Sequence, residues 1–270
     1  MSTHDLDIGR QMEREEQLDF QDPLRHLRED DEILPPQPPS VQNQTVKLSF
    51  PCGPADSSRA EDQIEIFLNV DASPGCGGLA WPAGEVLASY LARRGRGSLA
   101  GKTVLELGSG TGLVGLVAGL LGGKTWITDQ LPLLEIMKTN ININKLACCV
   151  EAAELNWGEP IPDSIPWPPD LILAADCVYF EPAFPLLVET LSELVSDPRT
   201  EVLFCYKKRR KADKRFFTLL RKKFTWEEAG SSSTPSLSRR NFDSHIQVLD
   251  DPNREVYTKE AISLLRLSKK

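Results

Sequence analysis

The chain has 270 residues, of which 40% are apolar, and a formal net charge of -8. It is long enough to bury one full hydrophobic core, and no apolar stretch has the length that a membrane span needs. Its first residues are acidic where a secretory signal peptide would be basic and then apolar. We therefore expect a soluble, cytoplasmic protein.

Most of the negative charge lies in residues 1–40, which hold eleven acidic residues against four arginines. This segment is poor in large apolar residues and ends in a proline-rich run, a composition that favours an extended and solvated chain. We expect residues 1–40 to form a disordered acidic tail and residues 41–270 to form one folded domain.

Cysteine and histidine spacing gives no sign of a metal site. None of the 6 cysteines forms a pair two residues apart, and two of the 3 histidines lie in the tail. Zinc sites and redox motifs use closely spaced cysteines or histidines. We therefore expect reduced thiols and no bound metal.

The first elements of the domain are predicted to be a β-hairpin and a helix. Residues 46–50 and 64–70 alternate apolar and polar side chains on either side of a polar, proline-containing connection, which is typical of a hairpin. A glycine-rich loop then leads through Trp81 to Pro82, which suits the first turn of a helix. Trp81 either packs beside the proline as part of the core or forms a wall of a ligand pocket.

Residues 104–115 carry the most informative pattern of the chain. An apolar strand, residues 104–107, runs into glycines at 108, 110 and 112, and an apolar helix pattern follows over residues 113–121. Glycines let such a turn adopt backbone angles that other residues avoid, and the free N–H groups at the helix start favour ligand oxygens. A dinucleotide-binding loop is one interpretation, although its third glycine would stand at Leu113.

The next strand, residues 124–129, ends in Asp129, about 20 residues after the first glycine. A carboxylate at this place can accept hydrogen bonds from the two hydroxyls of a cofactor's ribose. The alternative is that Asp129 caps the helix predicted over residues 131–144.

Two further strand ends supply candidate site residues. A strand at residues 148–153 is followed by Trp157, which either lies against an adenine ring or packs its own loop. The apolar strand that starts at residue 170 runs up to Asp176, and Tyr179 follows shortly after. Both residues should lie at the carboxyl ends of the strands, where open parallel sheets bind their ligands. The alternatives are that Asp176 caps a helix over residues 182–194 and that Tyr179 packs in the core.

The last elements are predicted to be a strand at residues 201–206, a helix at 212–224 and two strands, 225–229 and 261–267, that form an antiparallel edge. A basic run, residues 207–211, precedes that helix. It is either a solvated surface or a docking surface for an acidic patch of a protein partner. RNA is the rival partner, but the basic residues lack interleaved exposed aromatic residues, which argues against a nucleic-acid ligand.

Four of these features, taken in this order, resemble one family of enzymes. They are the glycine loop ending in Trp81, the run from Glu106 to Gly112, the turn at Trp157, and Asp176-Cys-Val-Tyr179. The set resembles the class I S-adenosylmethionine-dependent methyltransferases, specifically the family 16 protein-lysine methyltransferases. Within that family the chain is similar to the fungal elongation factor methyltransferase 6 group.

The resemblance implies a fold, a cofactor and a substrate. The fold would be a Rossmann-like seven-stranded α/β sheet with helices on both faces, preceded by the hairpin. The substrate would be a protein lysine, with translation elongation factor 1-alpha as the expected target, and the enzyme would act as a monomer. Asp176 and Tyr179 would be catalytic, and S-adenosylmethionine would be held by Trp81, Glu106, Gly108, Ser109, Gly110, Gly112, Asp129, Trp157 and Ala175.

Other functions are compatible with parts of the sequence. They are methylation of RNA or of a small molecule, oxidoreduction with NAD, and binding of a ligand without turnover. Leu113 in place of a glycine argues against NAD, and the acids Glu106, Asp129 and Asp176 argue against a protein that has lost its activity.

Overall fold

The computed structural model describes residues 42–53, 62–73, 75–209, 213–228 and 261–270. All of these residues belong to one compact unit, Ser40–Lys270. The expected tail of residues 1–40 and the polar loop around residues 231–240 lie outside the described residues. The domain boundary near residue 40 therefore stays a prediction.

A seven-stranded sheet forms the centre of this unit. Its strands are β3 (Thr103–Leu107), β4 (Lys124–Asp129), β5 (Val150–Glu154), β6 (Leu171–Ala175), β7 (Glu201–Lys207), β8 (Phe224–Glu228) and β9 (Ile262–Lys269). They lie in the order β5-β4-β3-β6-β7-β9-β8. The first five strands in this order are parallel to one another, whereas β9 is antiparallel to β7 and to β8. The expected α/β sheet with an antiparallel edge is confirmed.

The sheet separates two hydrophobic cores, because neighbouring residues of a strand point to opposite faces. In β3, Val104 belongs to the core on one face, while Leu105 and Leu107 belong to the core on the other. The first core contains residues of helices α1 (Pro82–Ala92), α2 (Leu113–Leu120) and α3 (Leu134–Ile143). The second contains residues of α4 (Phe184–Leu194) and α5 (Asp213–Lys223). Of the helices described, none combines the length and the apolar character that crossing a membrane requires.

The predicted hairpin is also confirmed. Strands β1 (Gln44–Pro51) and β2 (Gln63–Val70) pair in an antiparallel register and form a separate two-stranded sheet. Alternate residues of β2, from Ile64 to Val70, are buried in the first hydrophobic core. The hairpin therefore covers the same face of the large sheet as α1, α2 and α3.

Two asparagines of the α3 region hold the outer edge of β2. The Asn140 side chain accepts a hydrogen bond from the Asn69 N–H at 2.6 Å and donates one to the Asn69 carbonyl at 3.1 Å. Asn144 makes the same pair with Phe67, at 2.9 and 2.7 Å. Each amide side chain thus makes the hydrogen bonds that a neighbouring strand would make. The backbone N–H and C=O groups of Phe67 and Asn69 on this edge of β2 are therefore paired. Asn140 also donates to the Thr111 carbonyl at 2.9 Å, in the loop that precedes α2.

Two boundaries differ from the sequence prediction for a visible reason. The apolar strand ends at Ala175, because Asp176 adopts a left-handed backbone conformation with φ 60° that interrupts the strand. The helix expected from residue 182 begins as a 3-10 turn, Glu181–Ala183, and becomes α-helical at Phe184. In a helix that began at residue 182, Pro185 would lack the N–H group for the first helical hydrogen bonds, whereas it suits the first turn of a helix that begins at Phe184.

We expect replacement of Asn140 by leucine to loosen the hairpin. The Asn140 side chain is fully buried, so leucine would fill a similar volume but leave the Asn69 and Thr111 backbone groups without partners. The free energy of unfolding should fall by about 2–3 kcal/mol. Asn142→Leu, an exposed position on the same helix, should change it by no more than about 0.5 kcal/mol. Chemical denaturation of both variants measures the difference, and equal effects would contradict the role of Asn140.

Candidate active site

At its three glycine positions, the loop between β3 and α2 is packed too tightly for a side chain. Gly108, Gly110 and Gly112 all have positive φ values, of 59, 55 and 83°. A Cβ atom on Gly110 would lie 2.6 Å from the Gly77 carbonyl oxygen, and one on Gly112 would lie 2.7 Å from the Ile127 Cδ1 atom. The loop therefore needs glycine for its backbone angles and for its close contacts.

Ser109 fastens this loop to the end of β4. Its hydroxyl accepts a hydrogen bond from the Thr128 N–H at 2.8 Å, and its own N–H donates to the Thr128 carbonyl at 2.9 Å. The Thr128 hydroxyl in turn donates to the Glu106 carbonyl at 2.6 Å. Ser109 is buried, so its side chain positions the loop from behind.

Glu106 points into the protein and binds the start of α2. Its Oε2 atom accepts a hydrogen bond from the Gly115 N–H at 2.9 Å, and only 2% of the residue is exposed. Burial raises the pKa of this carboxyl group to about 8, although the Gly115 N–H and the Ser109 side chain act in the opposite direction. Glu106 thus shapes the loop through the helix terminus, and a direct contact with a cofactor stays a prediction.

Asp129 reaches back from the end of β4 to the same loop. Its Oδ2 atom accepts a hydrogen bond from the Gly110 N–H at 2.9 Å, and its Oδ1 atom accepts one from the Gln130 N–H at 2.8 Å. Burial raises the pKa of the Asp129 carboxyl group, while these two N–H groups lower it. The turn that follows has no side-chain cap, so the capping alternative is wrong. Each carboxylate oxygen keeps a lone pair with which it can accept a ribose hydroxyl.

The two tryptophans are connected to the loop in different ways. A Cβ atom on Gly108 would come within 3.0 Å of the Trp157 ring, so this ring lies against the loop. Trp81 is the residue before α1, and its indole N–H donates to the Cys76 carbonyl at 2.8 Å. Trp81 therefore reaches the glycine loop through the turn Cys76–Gly78, whose Gly77 carbonyl contacts Gly110.

Asp176 directly follows Ala175, the last residue of β6, and forms an ion pair that the sequence did not predict. Its two carboxylate oxygens accept hydrogen bonds from the two terminal nitrogens of Arg209, at 2.5 and 2.7 Å. Both side chains are nearly inaccessible to solvent, with 5% of Asp176 and 12% of Arg209 exposed. The 3-10 turn that precedes α4 has no side-chain cap, so Asp176 does not cap it.

Arg209 was assigned from sequence to the basic run of residues 207–211, as part of a solvated or docking surface. In the structure its guanidinium lies over the Trp81 ring, 5.6 Å from the ring centre, as well as on Asp176. Burial alone would lower the pKa of the guanidinium, but the hydrogen bonds and charge of Asp176 raise it. The assignment of Arg209 to the surface was wrong, because its ion-pair partner lies 33 residues away in the sequence.

Tyr179 and Cys76 meet near Asp129. Burial raises the pKa of the Tyr179 hydroxyl, and the nearby Cys76 thiol and Asp129 carboxylate add to that rise. Burial also raises the pKa of the Cys76 thiol, which interacts with Tyr179 and Asp129. The Tyr179 residue remains 45% exposed, so it is not ordinary core packing. Sequence analysis missed Cys76, because a single cysteine in a glycine-rich loop has no pattern that marks it.

These residues fit S-adenosylmethionine. A loop of glycines without Cβ atoms lies beside Asp129, whose carboxylate has acceptor capacity for the ribose hydroxyls. The Trp157 ring lies next to this loop, and Ala175, the last residue of the neighbouring strand β6, leads to Asp176. The structure thus brings most of the predicted site residues to the carboxyl ends of neighbouring strands. The binding role of each residue stays a prediction.

Replacement of Gly110 by alanine should disrupt the loop and the site that it forms. The new Cβ atom would be forced against the Gly77 carbonyl, in a backbone conformation that already costs an alanine about 1 kcal/mol. We expect the affinity for S-adenosylhomocysteine, measured by calorimetry, to fall by about tenfold or more. Gly97→Ala is the matched control, because Gly97 also has a positive φ but has no atom within 4 Å of a new Cβ atom. A loss of affinity as large in Gly97→Ala would contradict the packing argument.

The buried carboxyl group of Glu106 should make stability depend on pH. The pKa is raised from 4.5 to about 8, so the folded state holds a proton that the unfolded state releases in that range. Wild-type stability should therefore decrease as pH rises from 4.5 to about 8, whereas Glu106→Gln should lack this component. Melting temperatures across this pH range measure the difference. Glu135→Gln, whose side chain is 89% exposed, should follow the wild type, and parallel curves for all three proteins would contradict the assignment.

Comparison with known proteins assigns this chain to a family. A family model described as "Lysine methyltransferase" matches residues 60–223. Protein-lysine N-methyltransferase EFM6 of Saccharomyces cerevisiae is 40% identical over 225 residues, which are 73% of this chain and 82% of the relative. Protein N-lysine methyltransferase METTL21A of Danio rerio is 42% identical over 157 residues, which are 57% and 71% of the two chains. EEF1A lysine methyltransferase 3 of Mus musculus is 32% identical over 231 residues, which are 82% and 92%. The chain therefore belongs to the family of class I S-adenosylmethionine-dependent protein-lysine methyltransferases.

Proposed function

We propose that this enzyme methylates a lysine side chain of translation elongation factor 1-alpha, as a monomer and in the cytoplasm. The observation that carries the enzymatic part is the position of Asp176, a buried carboxylate that directly follows strand β6, the neighbour of the strand that leads into the glycine loop. The choice of substrate is supported by the name of one relative, EEF1A lysine methyltransferase 3, which matches 82% of this chain.

S-adenosylmethionine supplies a methyl group on a positively charged sulfur, which leaves as a neutral thioether when the nitrogen–carbon bond forms. Glu106 and Ser109 hold the glycine loop in shape from the protein interior. Gly108, Gly110 and Gly112 let that loop pack closely on its neighbours in the protein, and Asp129 is placed to accept the ribose hydroxyls of the cofactor.

The remaining predicted contacts surround the cofactor. Trp157 would lie against the adenine ring, because its own ring already lies against Gly108. Trp81 and Ala175 would border the end of the pocket nearest Asp176. The protein has the task of aligning the sulfur, the methyl group and the attacking nitrogen in a row.

Asp176 and Tyr179 would receive the substrate amine. A lysine ammonium has no lone pair, so it must lose a proton before it can attack, and its usual pKa is about 10.4. No histidine occurs in the part of the chain that the structure describes. The raised pKa of Tyr179 keeps its hydroxyl protonated, so this side chain can orient the amine but does not act as a base. The proton would pass to water.

Labelled S-adenosylmethionine provides the test. Incubation with a cell lysate that contains unmethylated elongation factor 1-alpha should place label on a lysine of that protein, and treatment with ribonuclease should not remove it. Asp176→Asn should lower turnover by about a hundredfold, since it leaves the buried Arg209 guanidinium without its counter-ion beside the amine, while S-adenosylhomocysteine affinity changes only a few-fold. Asp163→Asn, at an exposed loop position, is the matched control.

Each outcome of this experiment has a distinct meaning. Label on a different protein would overturn the choice of elongation factor 1-alpha and keep the enzyme class. Label that is found only in RNA would overturn the protein substrate. An unchanged rate in Asp176→Asn would remove Asp176 from the mechanism.

A further inference from the structure

A buried arginine already occupies the carboxylate that would receive the substrate amine. Both oxygens of Asp176 are bound by Arg209, and Arg209 also lies over Trp81. A carboxylate that is paired in this way carries little net attraction for a second cation. The consequence concerns the state in which the substrate lysine enters the site.

We propose that Arg209 is a positioning residue that cancels the charge of Asp176, so that the site takes the substrate lysine as a neutral amine. This inference rests on the proposed function and extends it to the question of how the lysine loses its proton without a basic side chain.

The argument follows from the cost of burying charge. An ammonium group moved from water into a site that is already charge-balanced loses its hydration and finds no free counter-ion. A neutral amine loses much less, and it can still accept or donate hydrogen bonds there. The site would therefore shift the lysine toward the neutral form, and water would accept the released proton.

Removal of the guanidinium would reverse this preference. The carboxylate of Asp176 would then be unpaired, and it would stabilise an ammonium group close to it. The charged lysine would bind more tightly and react more slowly, because its nitrogen lone pair would hold a proton. If the Asp176–Arg209 ion pair only stabilised the fold, its loss would not make substrate affinity and turnover change in opposite directions.

Other titratable groups near Arg209 must be taken into account. The Asp213 carboxylate, in the first turn of α5, accepts the Arg209 backbone N–H at 2.9 Å, and its charge faces the positive end of that helix. The Cys76 thiol also interacts with Arg209. Cys177, Asp129 and Tyr179 interact with one another in the same region. All of these groups are still present in an Arg209 variant. A comparison of the variants with the wild type therefore measures the effect of the guanidinium on the pH dependence.

Two replacements of Arg209 separate charge from geometry. Glutamine removes the charge and keeps hydrogen-bonding capacity, whereas lysine keeps the charge and loses the two-pronged contact. With elongation factor 1-alpha as substrate, the pH midpoint of kcat should rise by about one to two pH units in Arg209→Gln. In Arg209→Lys kcat should fall but its midpoint should stay within about half a unit of the wild type.

The Michaelis constant gives a second measure. At neutral pH, Arg209→Gln should lower the KM for the protein substrate while it lowers kcat. Arg199→Gln, which removes a cation whose side chain is 76% exposed, should leave both constants and the pH midpoint unchanged.

A binding experiment removes turnover from the test. Unmethylated elongation factor 1-alpha is bound to enzyme that is saturated with S-adenosylhomocysteine, at a series of pH values from neutral to alkaline. The same factor with its target lysine replaced by methionine gives the background. Above that background, wild-type affinity should increase with pH, and this increase should disappear in Arg209→Gln.

The results distinguish this inference from the proposed function. If the wild-type enzyme does not methylate elongation factor 1-alpha, the proposed substrate is wrong, and the experiment is repeated with the protein that the lysate assay labels. If the wild-type enzyme is active but Arg209→Gln lowers kcat equally at every pH and leaves the pH dependence of binding unchanged, Arg209 has only a structural role and the inference is overturned.

Discussion

The contact between the glycine loop and its neighbours is the constraint on which the rest of the site depends. Gly110 fits against the Gly77 carbonyl with no room for a Cβ atom, and its N–H is held by the Asp129 carboxylate. This one residue therefore joins the turn before α1, the end of β3 and the end of β4. Because the Trp81 indole N–H donates to the Cys76 carbonyl in the Cys76–Gly78 turn, the same contact also sets the position of Trp81.

Three carboxyl groups near neighbouring strand ends have three different sets of partners, and these partners give them different chemical environments. Glu106 is bound by an N–H group at the start of α2, and burial raises its pKa, so it acts as part of the interior. Asp129 is bound by two backbone N–H groups of its surrounding turns and keeps acceptor capacity for a ligand. Asp176 is the one of the three that is paired with a cation. Residue type alone would have assigned all three the same chemistry.

The elements that could be predicted from sequence are those whose signal is local. The apolar run of β3, the glycines after it and Asp129 at the end of β4 lie within 26 residues, and each follows from strand, turn or helix patterns. The hairpin was predicted from alternation, which the burial of β2 confirms. The left-handed conformation of Asp176 was not predicted, because aspartate tolerates that conformation without requiring it.

The partners that sequence missed are those that tertiary contacts select. Arg209 stands among lysines and arginines, and a basic run is usually solvated, so only the folded position of Asp176 identifies it as the buried one. Cys76 is recognised by its approach to Tyr179 and Asp129, which lie about 50 to 100 residues further along the chain. Composition and periodicity describe faces of elements, but they do not say which two side chains meet.

The asparagines of α3 extend the site to a part of the chain that has no catalytic residue. Asn140 accepts the Asn69 N–H with its amide oxygen, and its amide nitrogen donates both to the Asn69 carbonyl of the hairpin and to the Thr111 carbonyl of the glycine loop. A buried amide with all of these partners fixes its own orientation and that of both backbones. The hairpin is therefore a support for the loop, since a displaced β2 would leave Asn140 with unpaired polar atoms in the core. The same reasoning applies to Arg209, whose backbone N–H is held by Asp213 at the start of α5 while its side chain holds Asp176. In both cases one polar residue transmits the position of an outer element to the centre, so the geometry of the site depends on the packing of the whole domain.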